Sequence, residues 1–97
     1  MAIVVEMLVP GATRQHADLF DASVDSAVAQ AGGPPEGLMV HFARPEGDGF
    51  VICNVWRSEA DMKPFYDQVF LPILAAAGLS AEAPKVTPLW AFARPSE

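Results

Sequence analysis

The sequence predicts an α+β fold with the element order β-α-β-β-α-β and a four-stranded antiparallel sheet. Residues 50–56 alternate between two apolar faces, which is the period of a β-strand. The segment after Ser58 instead repeats its apolar residues at helical spacing. Two further apolar runs, at 3–9 and 38–44, are each followed directly by proline, which is typical of the end of a strand.

The first half of the chain predicts a strand and then a helix. The run Ile3–Val9 is rich in β-branched residues and stops at Pro10. Thr13 is a residue type favoured at helix N-caps, so we expect the first helix to begin there. The Gly-Gly-Pro-Pro sequence at 32–35 is a strong helix stop. Between these signals lies an apolar stripe of Phe20, Val24, Ala27, Val28 and Ala31.

The middle of the chain predicts an antiparallel hairpin. Leu38–Arg44 is the second strand, Pro45–Gly49 is rich in turn residues, and the third strand starts at Phe50. Because both faces of the third strand are largely apolar, we expect it to be central and covered on both sides. Whether His41 and Asn54 share a face depends on the pairing register, which a shift of one residue would reverse. The sequence leaves that register open.

A second helix is predicted from about Ser58 to Ala77. Ser58 and Asp61 have the spacing of a capping box, with the shorter acid in place of Glu. Because proline lacks a backbone donor and crowds the preceding turn, we expect the helix start to be reset near Pro64 and a kink near Pro72. The apolar stripe consists of Met62, Phe65, Tyr66, Val69, Phe70 and Ile73.

The chain ends with a predicted fourth strand. Gly78 is a C-terminal stop for the second helix, and Lys85–Ala93 alternates as a strand does. Pro88 cannot donate a ladder hydrogen bond, which places this strand at a sheet edge. The complete pattern is the split βαβ, or ferredoxin-like, arrangement over residues 1–97 as one domain.

Composition limits the partners that the chain can have. Hydrophobic residues make up 52% of its 97 residues, so we expect an apolar surface patch and a homodimer. The net charge of −6, without a basic cluster, disfavours nucleic acid. No apolar run has the length of a membrane span, and the start does not read as a leader peptide, so we expect a cytoplasmic protein. The single cysteine, Cys53, reads as a buried small hydrophobe in a reducing compartment.

With these elements in place, the chain resembles the dimeric α+β barrel proteins of the antibiotic-biosynthesis-monooxygenase type. The resemblance covers nearly the whole chain. It implies two ferredoxin-like sheets packed face to face, in a group that includes cofactor-independent oxygenases, haem-degrading oxygenases, and polyketide cyclases and isomerases. It rests on Val9–Thr13, Gly37–His41, Asn54–Ser58 and the helix Phe65–Leu74.

The haem-degrading members imply a residue pattern that this chain does not complete. Trp56 matches their tryptophan at the end of the third strand. The first strand, however, carries no asparagine, and the second helix carries no histidine to bind iron. Clusters of Cys and His at zinc spacing, nucleotide-binding glycine motifs and a serine nucleophile elbow are also missing from the sequence. We therefore expect no haem, metal or nucleotide cofactor.

Three polar residues are candidates for catalysis. His41 lies between apolar neighbours in a strand, where it is either a buried structural histidine or a base, since imidazole suits proton transfer near neutral pH. Asn54 either pairs with neighbouring backbone or holds a ligand oxygen. The phenol of Tyr66 either reaches the surface or turns inward as a donor.

Other residues are candidates for binding a substrate, each with a structural alternative. Trp56 would make a flat wall for a polycyclic ligand, but it is also a typical core residue, as is Trp90. His16 has helical spacing with Phe20, which would direct it toward the sheet, although it could also interact with the helix start. The apolar candidates are Phe20, Met62 and Phe65. The acidic residues Asp18, Asp21, Asp25, Glu59 and Asp61 read as solvated helix faces.

Two functions of different class are compatible with these features. The first is a cofactor-independent oxygenase or a cyclase/isomerase that acts on an aromatic or polyketide-type molecule in an apolar cleft, with His41 as the preferred base. The second is a non-catalytic module that binds a hydrophobic ligand or only dimerises. An enclosed pocket containing His41, Asn54 or Tyr66 would favour the first. A core filled by Trp56, Phe20 and Phe65 would favour the second.

Overall fold

The computed structural model describes residues 1–92 and has the predicted order of elements. Four strands, β1 (Ile3–Val9), β2 (Leu38–Glu46), β3 (Gly49–Trp56) and β4 (Lys85–Pro88), form one sheet in the order β2-β3-β1-β4. All three pairings are antiparallel. The α+β, ferredoxin-like fold class is thereby confirmed.

The helices differ from the prediction mainly in the second half. Helix α1 spans Arg14–Gln30, whereas the second helical region is divided into α2 (Glu59–Phe65), a π-helical turn (Tyr66–Phe70) and α3 (Leu71–Ala76). Both predicted caps are present. The hydroxyl of Thr13 accepts from the backbone of His16, and that of Ser58 accepts from the backbone of Asp61.

The two prolines of the second helical region differ in how they affect the helix. Pro64 lies inside α2 and does not reset the helix start. Pro64 has no N–H to donate to the carbonyl of Ala60. Because Ala60 is exposed, water can bond to that carbonyl instead, and the helix continues through the proline. Pro72 follows the π turn directly. Its ring would crowd the carbonyl of Gln68, and the wider turn over 66–70 relieves that crowding where a kink was predicted.

The fourth strand is shorter than predicted. It was expected over Lys85–Ala93, but β4 ends at Pro88, which pairs with Ile3 at the start of β1. Because β1 begins at Ile3, almost no residues of the chain remain beyond this pair with which β4 could continue to pair. Leu89–Phe92 are not strand, and Ala93 lies outside the described residues. The edge position of β4 is confirmed.

A tight turn joins β2 and β3 and sets their register. The turn consists of Gly47 and Asp48, and β2 continues through Pro45 to Glu46, two residues further than predicted. Gly47 has a φ of +56°, whereas Asp48 does not have a positive φ, which is typical of a type II′ hairpin turn. Pro45 is tolerated because β2 is an edge strand.

One irregularity interrupts the pairing of β2 with β3. Leu38 pairs with Trp56 and Val40 pairs with the next residue back, Val55, so that Met39 is an extra residue in a β-bulge. The bulge changes the alternation of side chains by one position. As a result Leu38 and His41, three residues apart, lie on the same face of the sheet.

The core lies on one face of the sheet, against the helices. Its larger cluster centres on Met7, Val9, Ile52, Phe20 and Phe70, and a smaller one surrounds Trp56. These clusters contain the alternate residues of β1 and β3 that point toward the helices. The strongest apolar patterns of the sequence thus form the core.

The opposite face of the sheet is largely apolar except for the ion pair of Glu6 and Arg44, and it belongs to neither cluster. Val51, Cys53 and Val55 are nearly fully shielded by their neighbours on the sheet, and burial raises the pKa of the Cys53 thiol, against an opposing effect of Arg44. Phe42, which pairs with Cys53, is 49% exposed. The helices of the described chain therefore cover one face of the sheet, while the β3 residues of the other face are shielded without them.

We predict that Gly49→Ala destabilises the fold by roughly 1–3 kcal/mol. A Cβ atom at Gly49 would run into the backbone of Val9 and Pro10, which cannot move aside as a side chain can. Chemical denaturation would measure the loss. Gly47→Asn is the matched control in the same turn, because asparagine tolerates a positive φ and Gly47 has open space around it. Equal stability of the Gly49→Ala variant and the wild type would contradict this account.

Candidate functional site

Four polar side chains form a continuous chain between the sheet and α1. The indole Nε1 of Trp56 donates to Oδ1 of Asn54 at 2.8 Å, and Nδ2 of Asn54 lies 3.4 Å from Nδ1 of His41. On the other side of the ring, Nε2 of His41 lies 3.6 Å from Oδ1 of Asp21. We call these four residues the polar chain. It crosses a layer that is otherwise apolar.

The hairpin register brings the central pair of the polar chain together. His41 of β2 lies directly opposite Asn54 of β3, so the register that the sequence left open places both on the face toward the helices. Directly opposite residues of antiparallel strands have side chains close enough to interact. Asn54 is only 1% exposed, and it is the one buried polar residue of the described chain.

Aromatic rings surround the imidazole. The centroids of Phe20 and Phe70 lie 6.5 Å and 5.7 Å from that of His41, and Phe65 packs edge-on against Phe70. Phe70 is the last residue of the π turn, a kind of turn that often occurs at functional sites. This environment excludes water from most of the ring. The His41 side chain nevertheless stays 21% exposed, so it is not sealed off from solvent.

The side chain of Asp21 is 46% exposed, in agreement with the predicted solvated helix face, but one of its oxygen atoms turns inward. Its Oδ1 atom is shielded from solvent and has no hydrogen-bond partner, as is also true of Nε2 of His41. The distance between the two atoms is just beyond hydrogen-bond range but within the range of an ion pair. The sequence carried a signal for this, because Asp21 has helical spacing with the buried residues Ala17 and Val24.

Tyr66 and His16 lie outside the polar chain. Desolvation and, to a smaller extent, the charge of Asp67 raise the pKa of Tyr66, so that the phenol stays protonated and can act as a donor but not as a base at neutral pH. For His16 the sequence left two alternatives, a position toward the sheet and an interaction with the helix start, and the structure shows the second. Its Nδ1 accepts from the backbone N–H of Thr13 at 3.0 Å, which completes a capping box at the start of α1.

The apolar candidates mostly fill the core. Trp56 is fully buried, Phe20 and Met62 are nearly so, and Phe65 is half-buried between the two clusters. Trp90, in contrast, is almost fully exposed. The interior therefore holds the filled core that favours a non-catalytic protein.

Two clefts flank this filled core. One, of about 550 Å³, lies between α1 and the end of the hairpin, and its wall includes Asp21, Ala43 and Phe50. The other, of about 370 Å³, lies between the end of α1 and α2 and is lined in part by Phe65. Neither is lined by His41, Asn54 or Tyr66. Only the first meets the polar chain, at Asp21, and we call it the α1 cleft.

Neither a metal-binding cluster nor a membrane-spanning helix is present among the described residues. Within residues 1–92, no three His, Cys, Asp or Glu side chains converge on a point where they could hold a metal ion. None of the helices in that part of the chain combines the length and the apolar character needed to cross a membrane.

Solved structures share this fold over nearly its full length. SnoaB, a cofactor-independent oxygenase from Streptomyces nogalater, is 21% identical, with 94% of this chain and 93% of that chain covered and a TM-score of 0.60. A Deinococcus radiodurans protein named "putative antibiotic biosynthesis monooxygenase" is 18% identical, with 100% and 98% coverage and a TM-score of 0.55. NE2512, a protein of unknown function from Nitrosomonas europaea, is 20% identical, with 100% and 98% coverage and a TM-score of 0.60.

Sequence comparisons add no relative. No protein-family model matches the chain, and no curated protein does. The likeness to the solved structures is thus a likeness of fold. At that level it confirms the predicted resemblance to proteins of the antibiotic-biosynthesis-monooxygenase type.

We predict that the Trp56–Asn54 hydrogen bond couples the stabilities of the two residues. Asn54→Leu leaves the buried indole N–H without a partner, and Trp56→Phe leaves the buried Asn54 oxygen without one. Each change should cost roughly 1–3 kcal/mol from the unpaired group, in addition to packing losses. The double variant lacks both groups, so its loss should fall short of the sum by about 1 kcal/mol. Denaturant unfolding of all four proteins tests this, and strict additivity would rule it out.

Proposed function

We propose that this protein is an enzyme of the cofactor-independent oxygenase or cyclase/isomerase kind, which takes a proton from an aromatic or polyketide-type small molecule. The observation that carries the proposal is the adjacency of Nδ1 of His41 and Nδ2 of Asn54, 3.4 Å apart in an apolar layer. The lone pair of Nδ1, which can accept a proton, thus lies beside the N–H of Asn54, which can donate to a developing oxyanion. These are the two groups that enolate chemistry requires.

The hydrogen bond from Trp56 determines which atoms of Asn54 and His41 are the donor and the acceptor. Because the indole is only a donor, the Asn54 atom at 2.8 Å from it is the oxygen, and the amide nitrogen faces His41. That nitrogen is only a donor, so Nδ1 of the neutral ring carries a lone pair. In the proposed reaction, Nδ1 accepts the substrate proton while an N–H of Asn54 turns to the substrate oxygen.

The carbanion formed in this way has two outcomes. It can attack a carbonyl group of the same substrate and close a ring. It can also react with O₂, in which case the methylene carbon forms a bond to oxygen and the O–O bond breaks. One oxygen atom then stays as a carbonyl, and the other leaves as water with the two hydrogens of the methylene group. In both cases the apolar surroundings disfavour competing reactions with water.

The remaining candidates have supporting parts in this proposal. The α1 cleft, which meets the polar chain at Asp21, has a volume in the range usual for small-molecule sites, and in this proposal it holds the body of the substrate. Phe20 packs beside the imidazole and Phe65 packs on Phe70 behind it. Trp56 holds Asn54, Met62 packs in the cluster of Trp56, and Tyr66 has the part of a donor from the π turn. The fold likeness to SnoaB, named a cofactor-independent oxygenase, supports the general kind of reaction.

The filled core favours a second candidate, a non-catalytic module that binds a hydrophobic ligand or only dimerises. Trp56 and Phe20 leave no enclosed space beside His41, and neither cleft is lined by it. In this case His41 and Asn54 satisfy each other's hydrogen bonds and have a structural part only. The two candidates differ in what the removal of His41 does.

We predict that His41→Ala lowers turnover at least tenfold, the lower side of the roughly 10²–10⁴ expected for a general base, with little change in melting temperature. A suitable probe is dithranol, a tricyclic phenol with an acidic methylene carbon. Oxygen uptake and quinone absorbance are measured against the spontaneous oxidation. Loss of stability by roughly 1–3 kcal/mol with unchanged turnover would support the non-catalytic module, as would a wild type that does not accelerate the reaction.

His16→Ala is the matched control, because it removes the other imidazole of the chain. This ring is bonded to the helix start, so the variant should lose helix stability and keep its turnover. An equal loss of turnover in the two variants would show that the assay reports a general effect and not the chemistry of His41.

We also propose that the protein is a homodimer that pairs through the open face of its sheet. On this face the ring of Phe42 is exposed beside the shielded residues Val51, Cys53 and Val55 and the ion pair of Glu6 and Arg44, and no helix of the described chain packs on it. An apolar sheet face of this kind is normally covered in a stable protein. A second copy supplies an identical apolar face, which makes the interface self-complementary.

We predict that Phe42→Asp disrupts this dimer. The carboxylate would have to be buried without a partner in an apolar interface, which is costly. Light scattering at micromolar concentration should give about twice the 10.4 kDa chain mass for the wild type and a single chain mass for the variant. Leu19→Asp is the control, since Leu19 is 56% exposed on α1 and away from the open face. A wild-type monomer would refute the dimer.

A further inference from the structure

Asp21 lies close to His41, although no hydrogen bond joins their shielded atoms. This proximity points to Asp21 as a third residue of the proposed site, beside the base His41 and the amide of Asn54. We infer that Asp21 is a positioning residue, which holds the proton of His41 on Nε2 and stabilises the imidazolium that forms when Nδ1 takes up the substrate proton. This inference rests on the proposed function for its catalytic consequence. The arrangement of the proton itself follows from the geometry alone.

The first step is the location of the proton in the resting ring. Nδ1 of His41 faces the donor nitrogen of Asn54, whose orientation the Trp56 indole fixes. A neutral imidazole carries one proton, and a nitrogen that accepts cannot hold it. The proton is therefore on Nε2, the nitrogen that faces Asp21 at 3.6 Å.

The second step is the absence of any competing partner. Both Nε2 of His41 and Oδ1 of Asp21 are shielded from solvent and have no hydrogen bond within the described residues. Among the groups that face the ring, α1 supplies the carboxylate, β3 supplies the neutral Asn54 and the π turn supplies Phe70. Each atom is thus the available partner of the other, and a small rotation of either side chain closes the contact.

The third step is what this contact does during proton transfer. When Nδ1 accepts a proton, both ring nitrogens carry hydrogen and the ring becomes cationic. The Oδ1 atom of Asp21 then faces a full positive charge, and because this atom and Nε2 are both shielded from solvent, the pair interacts more strongly than two fully hydrated charges would. Asp21 keeps its own charge and takes no proton. In many enzymes a catalytic histidine is oriented in this way, by a carboxylate that contacts the ring nitrogen not involved in proton transfer.

Nuclear magnetic resonance of the protein with ¹⁵N-labelled histidine tests the proton location without any substrate. At about pH 8, where imidazole is normally neutral, the His41 proton should couple to Nε2, and Nδ1 should give the signal of an unprotonated nitrogen. In Asp21→Ala the Nε2 proton should exchange with water too fast to be seen. A wild-type ring protonated on Nδ1, or an unchanged proton signal in Asp21→Ala, would overturn the inference.

Turnover of dithranol tests the catalytic consequence. Asp21→Asn should lower kcat by about tenfold or more and change KM less than twofold, while Asp21→Glu should recover part of the loss. Introduced into His41→Ala, Asp21→Asn should have no further effect, because it acts through the imidazole. Asp25→Asn, one turn later on the exposed side of α1, is the matched control and should keep its kcat.

The two tests separate the failure of the inference from that of the proposed function. If the wild type does not turn over the probe but the Nε2 proton depends on Asp21, the proposed reaction is wrong and the positioning contact stands. If His41→Ala loses turnover but Asp21→Asn does not, His41 acts without Asp21 and the inference is wrong. A further loss on adding Asp21→Asn to His41→Ala would also overturn it.

Discussion

The register between β2 and β3 is the constraint on which the rest of the site depends. Only the observed register puts His41 opposite Asn54 on the face that the helices cover. A shift by one residue would move the imidazole to the open face and leave the amide without it. The two-residue turn at Gly47 and Asp48 fixes this register from one end, because its backbone geometry allows a single alignment of the flanking strands.

The polar chain has a cost that an apolar layer would not have. Burial of Asn54 and of the indole nitrogen of Trp56 is acceptable because the two groups bond to each other. At the other end, however, Asp21 and His41 face each other without a closed hydrogen bond. Apolar residues of similar size at these positions would pack at least as well. The cost of this arrangement is what the proposed reaction would explain.

Sequence patterns predicted the elements well and the site only in part. The bounds of β1 and the caps Thr13 and Ser58 follow from local rules, because a β-branched run and a capping hydroxyl act over a few residues. The pairing of His41 with Asn54 depends on a turn type and a bulge, which composition alone does not determine. Asp21 was missed because helical spacing indicates a face, whereas the acceptance of a charge there depends on a partner from another strand.

The bulge at Met39 has a consequence for the way in which β2 can vary in length. Leu38 packs with the Trp56 cluster and His41 belongs to the polar chain, and an odd separation between them requires one residue outside the regular pairing. Loss of one residue here would straighten the strand and turn either the leucine or the histidine away from the helices. A single-residue deletion at this point would therefore change which side chains face the helices, whereas most deletions near the end of a strand only shorten a loop.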